Sequence, residues 1–167
     1  MAEANWYALW VRSRQEFVTD AELGRKGIEH FLPTVTKVRA WKDRNKSVVF
    51  PLFPGYLFVR VPSRSDAFLQ VVQTRGAVTL VALVPGFPTP VSPEEIISLK
   101  SMLDSGSPVE LYPDLQTGAA VRVKRGPLCG AVGMLSRRND QHRFTVNIEL
   151  LGRSVSTSIL AEDVEQA

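Results

Sequence analysis

The chain has 167 residues, enough for one or two small domains with their own cores, and its 44% hydrophobic and 22% charged content excludes an intrinsically disordered protein. A net charge of +3 is too small to indicate nucleic-acid binding by itself. The longest apolar run, residues 77–84, is too short to cross a bilayer, residues 1–5 lack the features of a signal peptide, and a single cysteine, Cys129, excludes an internal disulfide. We therefore expect a cytosolic protein without a membrane segment.

The first fifty residues predict a strand, a helix and a hairpin. Residues 6–11 place aromatic and aliphatic side chains on both faces and predict a buried strand. The helix that follows should end at Gly27, because glycine readily adopts the left-handed conformation that terminates helices. Its predicted buried face consists of Phe17, Ala21, Gly24 and Ile28. Segments 34–40 and 46–50 predict a hairpin with a basic tip at 41–45.

The segment 50–59 is the most informative part of the chain. Pro51 and Pro54 each fix φ near −65°, so the residues between them cannot continue a regular strand or helix. Gly55 then permits a sharp turn, because it tolerates positive φ. The strand-forming residues of 56–61 follow this turn directly.

The strand after this turn is apolar on both of its faces. Tyr56 and Phe58 point to one face, and Leu57 and Val59 point to the other. A single sheet with helices on one side covers only one face of its strands. Either a second layer covers the other face, or Tyr56 and Phe58, with Phe53 beside them, form a docking patch for a partner. The residues alone leave both interpretations open.

Two more helices and another strand complete the first hundred residues. A helix should start within 63–66, and 77–84 predicts a buried strand. Ser92, Pro93 and Glu95 predict a helix start with a capping box, in which the serine and the glutamate satisfy each other's backbone N–H groups. The apolar face of this last helix is formed by Ile96, Leu99 and Leu103. The order β-α-β-β-β-α-β-α predicts an α+β fold with helices packed on a mostly antiparallel sheet.

The pattern changes after about residue 104. We predict an N-terminal domain over 1–104, a linker over 105–116 that is punctuated by glycine and proline, and a second domain over 117–167. Short predicted strands in the second domain cover 120–124, 131–136, 144–150 and 154–160. Such closely spaced short strands predict a small all-β barrel.

The residues do not indicate an enzyme. His30 and His142 have no Asp, Glu or Cys at the spacing of a metal site, so we predict neither a metal nor a cofactor. Cys129 stands alone in a glycine-rich turn, where a small buried residue is the usual interpretation. The glycine-rich segment 125–133 lacks the Lys-Ser/Thr ending of a phosphate-binding loop.

Basic residues are concentrated in a few places. The largest cluster lies within 37–46, where only Asp43 opposes Lys37, Arg39, Lys42, Arg44 and Lys46. A solvated surface and contact with a phosphate backbone both explain this cluster. A smaller pair, Arg12 and Arg14, follows the first strand.

Several motifs together resemble the NusG family of transcription elongation factors. In its N-terminal domain the resemblance rests on Trp6-Tyr7, Phe31-Leu32-Pro33, the run from Pro51 to Val59, and Thr74-Arg75-Gly76. In the C-terminal part, residues 118–128 with Gly130 and Gly133 are similar to a KOW motif, which opens an SH3-like barrel. The resemblance covers nearly the whole chain, and it joins two motifs in the family's order.

The resemblance implies partners and the residues that bind them. The N-terminal domain would dock on the β′ clamp helices of bacterial RNA polymerase, close the clamp and suppress pausing. The docking residues would be Phe53, Tyr56 and Phe58, with Trp6 and Tyr7 near them. Upstream or non-template DNA would contact Arg12, Arg14 and Arg75, and in second place the hairpin residues Arg39, Lys42, Arg44 and Lys46.

Two of these motifs also indicate which subgroup of the NusG family the chain resembles. Segments 51–59 and 74–76 resemble the specialised paralogues of the RfaH and UpxY type, which act as antiterminators on selected operons. The His-Thr-Thr-Thr-Arg segment by which RfaH reads a DNA hairpin is absent, and the comparable helix carries the mainly apolar residues of 67–72. We therefore do not expect recognition of that operon element.

The barrel departs from the housekeeping pattern. Its partner surface would consist of Leu128, Ala131, Leu151 and Arg153. The first three stand where housekeeping members place phenylalanines, whereas Arg153 keeps the arginine of the family's loop. Because aromatic anchors are missing, we expect no contact with Rho, and a ribosomal contact through the barrel stays open. The alternation of residues 144–150 predicts strands and not the helical hairpin of some paralogues.

We expect the protein to be a monomer. The alternative function is an RNA-binding or ribosome-associated KOW protein, which would not need docking aromatics in the N-terminal domain.

Overall fold

Antiparallel strand pairing organises both halves of the chain in a computed structural model, which describes residues 3–113, 118–138 and 140–167. The chain divides into two compact units, Met1–Pro90 and Val91–Ala167. Within the described residues, no helix has the length and apolar character needed to span a bilayer.

The first unit is built on a mixed set of strands and helices. Its elements are β1 (Ala4–Val11), α1 (Glu16–Arg25), β2 (Glu29–Phe31), β3 (Thr34–Trp41), β4 (Arg44–Pro51), β5 (Tyr56–Pro62), α2 (Ser65–Val72) and β6 (Ala77–Leu80), and the short strand β7 (Pro90–Val91) begins at its last residue. Among the described residues, five strands form a sheet in the order β2-β5-β1-β6, with β7 outside this path. Strands β3 and β4 pair with each other as a separate hairpin.

The register of β1 and β5 decides which residues form the core. Leu9 lies opposite Leu57 and Tyr7 lies opposite Val59, and all four belong to one buried apolar cluster with residues of α1 and α2. Ala8 lies opposite Phe58 on the other face of the sheet. The predicted division of β5 into two apolar faces is therefore confirmed.

Helix α1 does not bury the face predicted for it. Its buried residues are Glu16, Thr19 and Leu23, whereas Phe17 is 45% exposed. The prediction was wrong because it counted only apolar residues, and Glu16 and Thr19 are buried through hydrogen bonds to the backbone of distant turns. The predicted helix end is confirmed, since Gly27 has φ +71° just after the C-cap.

Two strand predictions in the first unit differ from the structure. Strand β2 was not predicted, because three residues are too short to show a period. The strand predicted over 77–84 ends at Leu80, beyond which the chain folds back: Thr89 N–H donates to the Val81 carbonyl, and the Leu83 N–H donates to the Thr89 hydroxyl. A proline-rich loop with this local hydrogen bonding cannot extend the ladder.

The second unit contains a helix and a β-sheet. Its elements are α3 (Pro93–Asp104), β8 (Glu110–Pro113), β9 (Ala119–Val123), β10 (Val132–Arg138), β11 (Gln141–Ile148), β12 (Arg153–Ser158) and β13 (Val164–Gln166). Within the described ranges the six strands follow the order β13-β9-β10-β11-β12-β8. The prediction of strands rather than a helical hairpin is confirmed, and Phe144, Val146 and Ile148 of β11 are buried.

Helix α3 packs within the second unit, although the sequence analysis placed it in the first domain. It lies against β10 and β11, and the buried Ser98 hydroxyl accepts a hydrogen bond from Val132 N–H at 2.9 Å. Strand β8 lies in the predicted linker and pairs with β12, while positions 114–117 are outside the described residues. The boundaries 1–104 and 117–167 remain predictions.

Candidate functional site

The turn before β5 is fixed by contacts from two other elements. Tyr56 N–H donates to the Phe53 carbonyl at 3.0 Å, and Gly55 has φ +88°, as in a type II turn with proline at its second position. Gly55 N–H donates to a carboxylate oxygen of Glu16 at 2.9 Å. The Gly55 carbonyl accepts from Val11 N–H at 2.8 Å. The start of α1 and the end of β1 therefore hold this turn in place.

Helix α1 also fixes the turn that precedes β6. Ala77 N–H donates to the Thr74 carbonyl at 3.0 Å, and Gly76 has φ +86°. The Thr19 hydroxyl donates to the Arg75 carbonyl at 2.8 Å. A Cβ on Gly76 would run into that hydroxyl, so only glycine fits here. The buried polar face of α1 thus fastens two turns at the same end of the sheet.

Most of the predicted docking residues are buried. Phe58, Phe53, Trp6 and Tyr7 have at most 7% of their surface exposed, and Tyr56 is half-buried. The Phe58 ring contacts the Phe53 ring edge-on, with ring centres 6.2 Å apart. Tyr7 points into the core, where its ring meets that of Phe68 at 5.1 Å.

An apolar groove, most of whose lining residues the sequence analysis did not identify, lies beside Tyr56. It encloses about 650 Å³, and its lining includes Trp10, Tyr56, Leu69 and Phe87. Trp10 is 49% exposed, and Phe87 is 71% exposed. Leu69 is exposed because the core face of α2 is formed by other residues. The signals available in the sequence were an apolar helix residue away from the core face and a phenylalanine in a proline-rich loop.

The three arginines predicted to contact DNA lie at the turns fixed by α1. Arg12 N–H donates to the Gly76 carbonyl at 2.8 Å, which brings the residue after β1 to the turn that contains Arg75. Arg14 has φ +64°, an uncommon conformation for a residue other than glycine. All three side chains are exposed, and none forms an ion pair with another described residue. Trp10 pairs with Tyr56 across β1 and β5 at this same end of the sheet.

The hairpin residues predicted for nucleic-acid contact are also exposed. Arg39, Arg44 and Lys46 lie in β3 and β4, and Lys42 occupies the turn with φ +52°. The hairpin residues with described side chains are exposed throughout 36–47, so this hairpin has no buried face there.

The predicted partner surface of the second unit is only partly accessible. Ala131 and Leu128 are buried, and the Ala131 N–H donates to the Leu128 carbonyl at 2.9 Å. Leu151 is half-buried. Arg153 is exposed, and its guanidinium donates at 3.3 Å to the carbonyls of Leu151 and Gly152. Leu151 and Arg153 therefore offer the accessible part of this set.

The start of α3 carries an unusual carboxyl group. Burial raises the pKa of Glu95 from its ordinary value of 4.5 to about 7, and the nearby Glu149 carboxylate adds to the rise against a backbone hydrogen bond that lowers it. That bond runs from Glu149 N–H to a Glu95 carboxylate oxygen at 3.4 Å. The predicted capping box is wrong, because Ser92 makes no side-chain cap and Glu95 binds a distant turn instead.

The histidines and the cysteine have ordinary structural surroundings where these are described. His30 lies between the Asp20 carboxylate and the Ile28 carbonyl, each 2.8 Å from a ring nitrogen. Cys129 is exposed, so the burial expected from the sequence is wrong, and its sulfur lies 3.4 Å from the Lys124 carbonyl oxygen. Among the described residues, no three His, Cys, Asp or Glu side chains group together in a way that could hold a metal ion.

Comparisons with known proteins agree on one family. The family model described as "Transcription termination factor nusG" matches residues 4–100. The transcription termination/antitermination protein NusG of Halalkalibacterium halodurans is 23% identical over 176 residues, which cover 98% of this chain and 99% of that protein. NusG of Staphylococcus aureus strain Mu50 is 26% identical over 139 residues, covering 81% of this chain and 75% of its own length.

A solved structure supports the fold independently. The structure described as "Domain interaction in Thermotoga maritima NusG" aligns with 98% of this chain and 97% of its own, with a TM-score of 0.52 and 20% sequence identity. Residues 4–100 are more than half of the 167 residues, so the family match is not confined to a short motif. The chain therefore belongs to the NusG family of transcription termination and antitermination proteins.

Proposed function

We propose that this protein binds transcribing bacterial RNA polymerase through its first unit and suppresses pausing or termination. The observation that carries the proposal is the apolar groove beside Tyr56 and the three arginines, in a chain of the NusG family. The partner surface on the polymerase is the pair of β′ clamp helices. An exposed groove with aromatic residues suits the apolar face of such a helix.

We assign separate tasks to the predicted docking residues. Tyr56 lies in the groove and contacts the clamp helices directly, together with Trp10. Phe53 and Phe58 do not contact the clamp helices themselves. Their buried rings pack against each other and fix the position of the strand that carries Tyr56. Trp6 and Tyr7 do the same from β1. This assignment explains how buried residues support a contact that they do not make themselves.

The arginines at the same end of the sheet contact DNA. Arg12, Arg14 and Arg75 are exposed cations without a described ion-pair partner, so they remain available to phosphate oxygens. When the groove is on the polymerase, they face upstream or non-template DNA. We further propose that the protein works as a cytoplasmic monomer on selected operons, as specialised paralogues do.

The second unit has a smaller part in this function. Leu128 and Ala131 are buried, which leaves Leu151 and Arg153 for a partner such as the ribosome. We expect no contact with Rho, because none of these residues is an aromatic anchor.

Co-purification of RNA polymerase with the tagged protein tests the proposal. The variant Leu69→Ser with Phe87→Ser changes exposed groove residues, and we expect a loss of about 2 kcal/mol in binding, about thirtyfold in affinity. Phe17→Ser is the matched control, because Phe17 is 45% exposed on α1 outside the groove. Equal recovery of polymerase by the groove variant and the control would contradict docking through the groove. Ribosomes recovered without polymerase would favour the alternative, a ribosome-associated protein.

A further inference from the structure

The groove and the exposed arginines each depend on a turn. The turn at Gly55 stands directly before Tyr56, which lines the groove. The turn at Gly76 stands directly after Arg75, whose side chain is exposed. The two glycines have φ of +88° and +86°, so each turn has a backbone conformation that favours glycine. The position of each turn therefore decides where a predicted contact residue stands.

Two consecutive residues at the end of β1 bind both turns. Val11 N–H donates to the Gly55 carbonyl at 2.8 Å, and Arg12 N–H donates to the Gly76 carbonyl at the same distance, 2.8 Å. Because β1 lies between β5 and β6 in the sheet, the two turns flank its end. Each of these bonds attaches its turn to β1 at one carbonyl.

Helix α1 supplies a second hydrogen bond to each turn, in each case from a buried side chain. Glu16 accepts from Gly55 N–H at 2.9 Å. The Thr19 hydroxyl donates to the Arg75 carbonyl at 2.8 Å. Glu16 and Thr19 are three positions apart, so they lie on the same face of the helix. The start of α1 therefore bridges the two turns across the end of β1.

Stability alone does not explain these two polar side chains. A buried carboxylate or hydroxyl loses its hydration, and one hydrogen bond offsets that cost only in part, so apolar residues would stabilise this helix face better. Buried polar groups that are fully bonded can instead specify one arrangement of the groups around them. The fit at the second turn is correspondingly close, since a Cβ on Gly76 would run into the Thr19 hydroxyl. Both hydrogen bonds end at, or next to, a residue with a predicted partner contact.

We propose that Glu16 and Thr19 are positioning residues, which hold Tyr56 and Arg75 where these contact RNA polymerase and DNA. The inference rests on the proposed function, which assigns those contacts. Glu16 and Thr19 are buried and touch neither partner themselves. The two hydrogen bonds are separate, so Glu16 acts on the groove and Thr19 acts on the arginine.

Affinities of the full chain for polymerase core enzyme without nucleic acid, and for an elongation complex with upstream duplex DNA, test the role of Glu16. They are measured where circular dichroism shows every protein to be folded. Glu16→Ala should bind both targets about tenfold more weakly, because Tyr56 is no longer held in place. Glu16→Gln keeps an acceptor for Gly55 N–H and should recover most of this affinity. Wild-type affinity of Glu16→Ala for the core enzyme would overturn the proposal.

The same two targets test Thr19 by a different pattern. Thr19→Val replaces the hydroxyl by a methyl group and leaves the Arg75 carbonyl without its donor. We expect wild-type affinity for the core enzyme and about fivefold weaker binding to the elongation complex. Thr19→Ser keeps the hydroxyl and should bind like the wild type. A merely structural role would not separate the targets, so equal changes at both, or no change at either, would overturn the proposal.

Leu23→Val is the matched control for lowered stability. Leu23 is a fully buried core residue of the same helix, and its side chain bonds to neither turn. The truncation lowers stability but should leave both affinities at the wild-type value. Losses as large as those of Glu16→Ala would show that lowered stability explains the effect, and they would overturn the proposal.

Hydrogen exchange keeps this inference apart from the proposed function. If the wild type binds no polymerase, the proposed function fails. In Glu16→Ala, Gly55 N–H should exchange about tenfold faster relative to Val81 N–H, which donates to the Ala8 carbonyl in the sheet. In Leu23→Val this ratio should stay at the wild-type value. An unchanged ratio in Glu16→Ala would show that Glu16 does not hold the turn, and it would overturn the inference whatever polymerase does.

Discussion

Two glutamates at helix starts, one in each unit, each accept a hydrogen bond from the backbone of a distant turn, but in different surroundings. Glu16 is the first residue of α1 and accepts a hydrogen bond from Gly55 N–H at 2.9 Å. Glu95 lies in the first turn of α3 and accepts one from Glu149 N–H at 3.4 Å. Each ties a helix to a turn that is distant in sequence. A helix start favours a carboxylate, because the backbone dipole there is positive.

The two glutamates differ in their burial, in the length of their hydrogen bonds and in the charges near them. Glu16 is 6% exposed, and its bond is short. Glu95 is half-buried, its bond is longer, and the Glu149 carboxylate lies close to it, so its pKa rises to about 7. The comparison teaches that a carboxylate at a helix start can hold a distant turn even where burial, and then a second carboxylate, raises its pKa. The following experiments measure what each of these contacts contributes to stability.

The largest loss of stability is expected when Phe53, the buried aromatic residue of the turn that Glu16 contacts, is truncated. Phe53→Ala should lower the free energy of unfolding by about 3–5 kcal/mol, because Phe53 is 2% exposed and its ring contacts Phe58. Chemical denaturation measures this. Phe17→Ala is the control, with an expected change under about 1 kcal/mol, since Phe17 is 45% exposed. Similar losses in the two variants would show that the turn is not anchored by Phe53.

Removal of the hydrogen bond between Gly55 N–H and Glu16 should have an intermediate effect on the free energy of unfolding. Glu16→Ala leaves Gly55 N–H without its acceptor in a part-buried site, and we expect a loss of about 2 kcal/mol in unfolding free energy. Glu16→Gln keeps an amide oxygen at the same place and should lose less. The same denaturation measurements check both variants. A loss in the glutamine variant as large as in the alanine variant would mean that charge, and not the hydrogen bond, is what matters.

The smallest change in the free energy of unfolding is expected for Glu95→Gln, which should stabilise the protein and not destabilise it. Because the pKa of Glu95 is raised in the folded protein, the folded state binds more protons than the unfolded state between its ordinary value of 4.5 and about 7. The contribution of this group is therefore most favourable below about 4.5 and is lost as the pH rises to about 7. Glu95→Gln stays neutral, so it should be more stable than the wild type above that pH, by about 1 kcal/mol once solvent screening is allowed for.

Unfolding free energies measured for both proteins across this pH range check the prediction. The stability difference in favour of Glu95→Gln should grow with pH and then level off. A constant difference, or one that shrinks, would contradict the raised pKa. Glu94→Gln is a suitable control, because Glu94 is the exposed neighbour on the same helix turn.

Local rules predicted much of the first unit. The turn at Gly55, the strand that follows and its division into two faces all depend on φ limits and on alternation, which act within a few residues. The same holds for the end of α1 at Gly27. In the second unit, strand β11 followed from alternation in the same way.

The errors came from interactions between residues distant in sequence. Glu16 and Thr19 were assigned no buried role, because their partners are 39 and 56 residues away. Glu95 fitted a capping motif, but its hydrogen bond goes to a residue 54 positions later. Alternation placed Phe58 on a face but does not tell whether that face is covered. The exposed groove depends equally on tertiary packing, because only packing brings Leu69 of α2 and Phe87 of the proline-rich loop beside Tyr56.

The exposed sulfur of Cys129 makes these tests easier to perform. It is the single thiol of the chain and lies between β9 and β10, far in sequence from the groove and the hairpin. A maleimide dye would therefore label one known position without any prior substitution. A fluorescent reporter on the second unit would then follow binding by the first, so the wild type and each variant could be compared with the same probe.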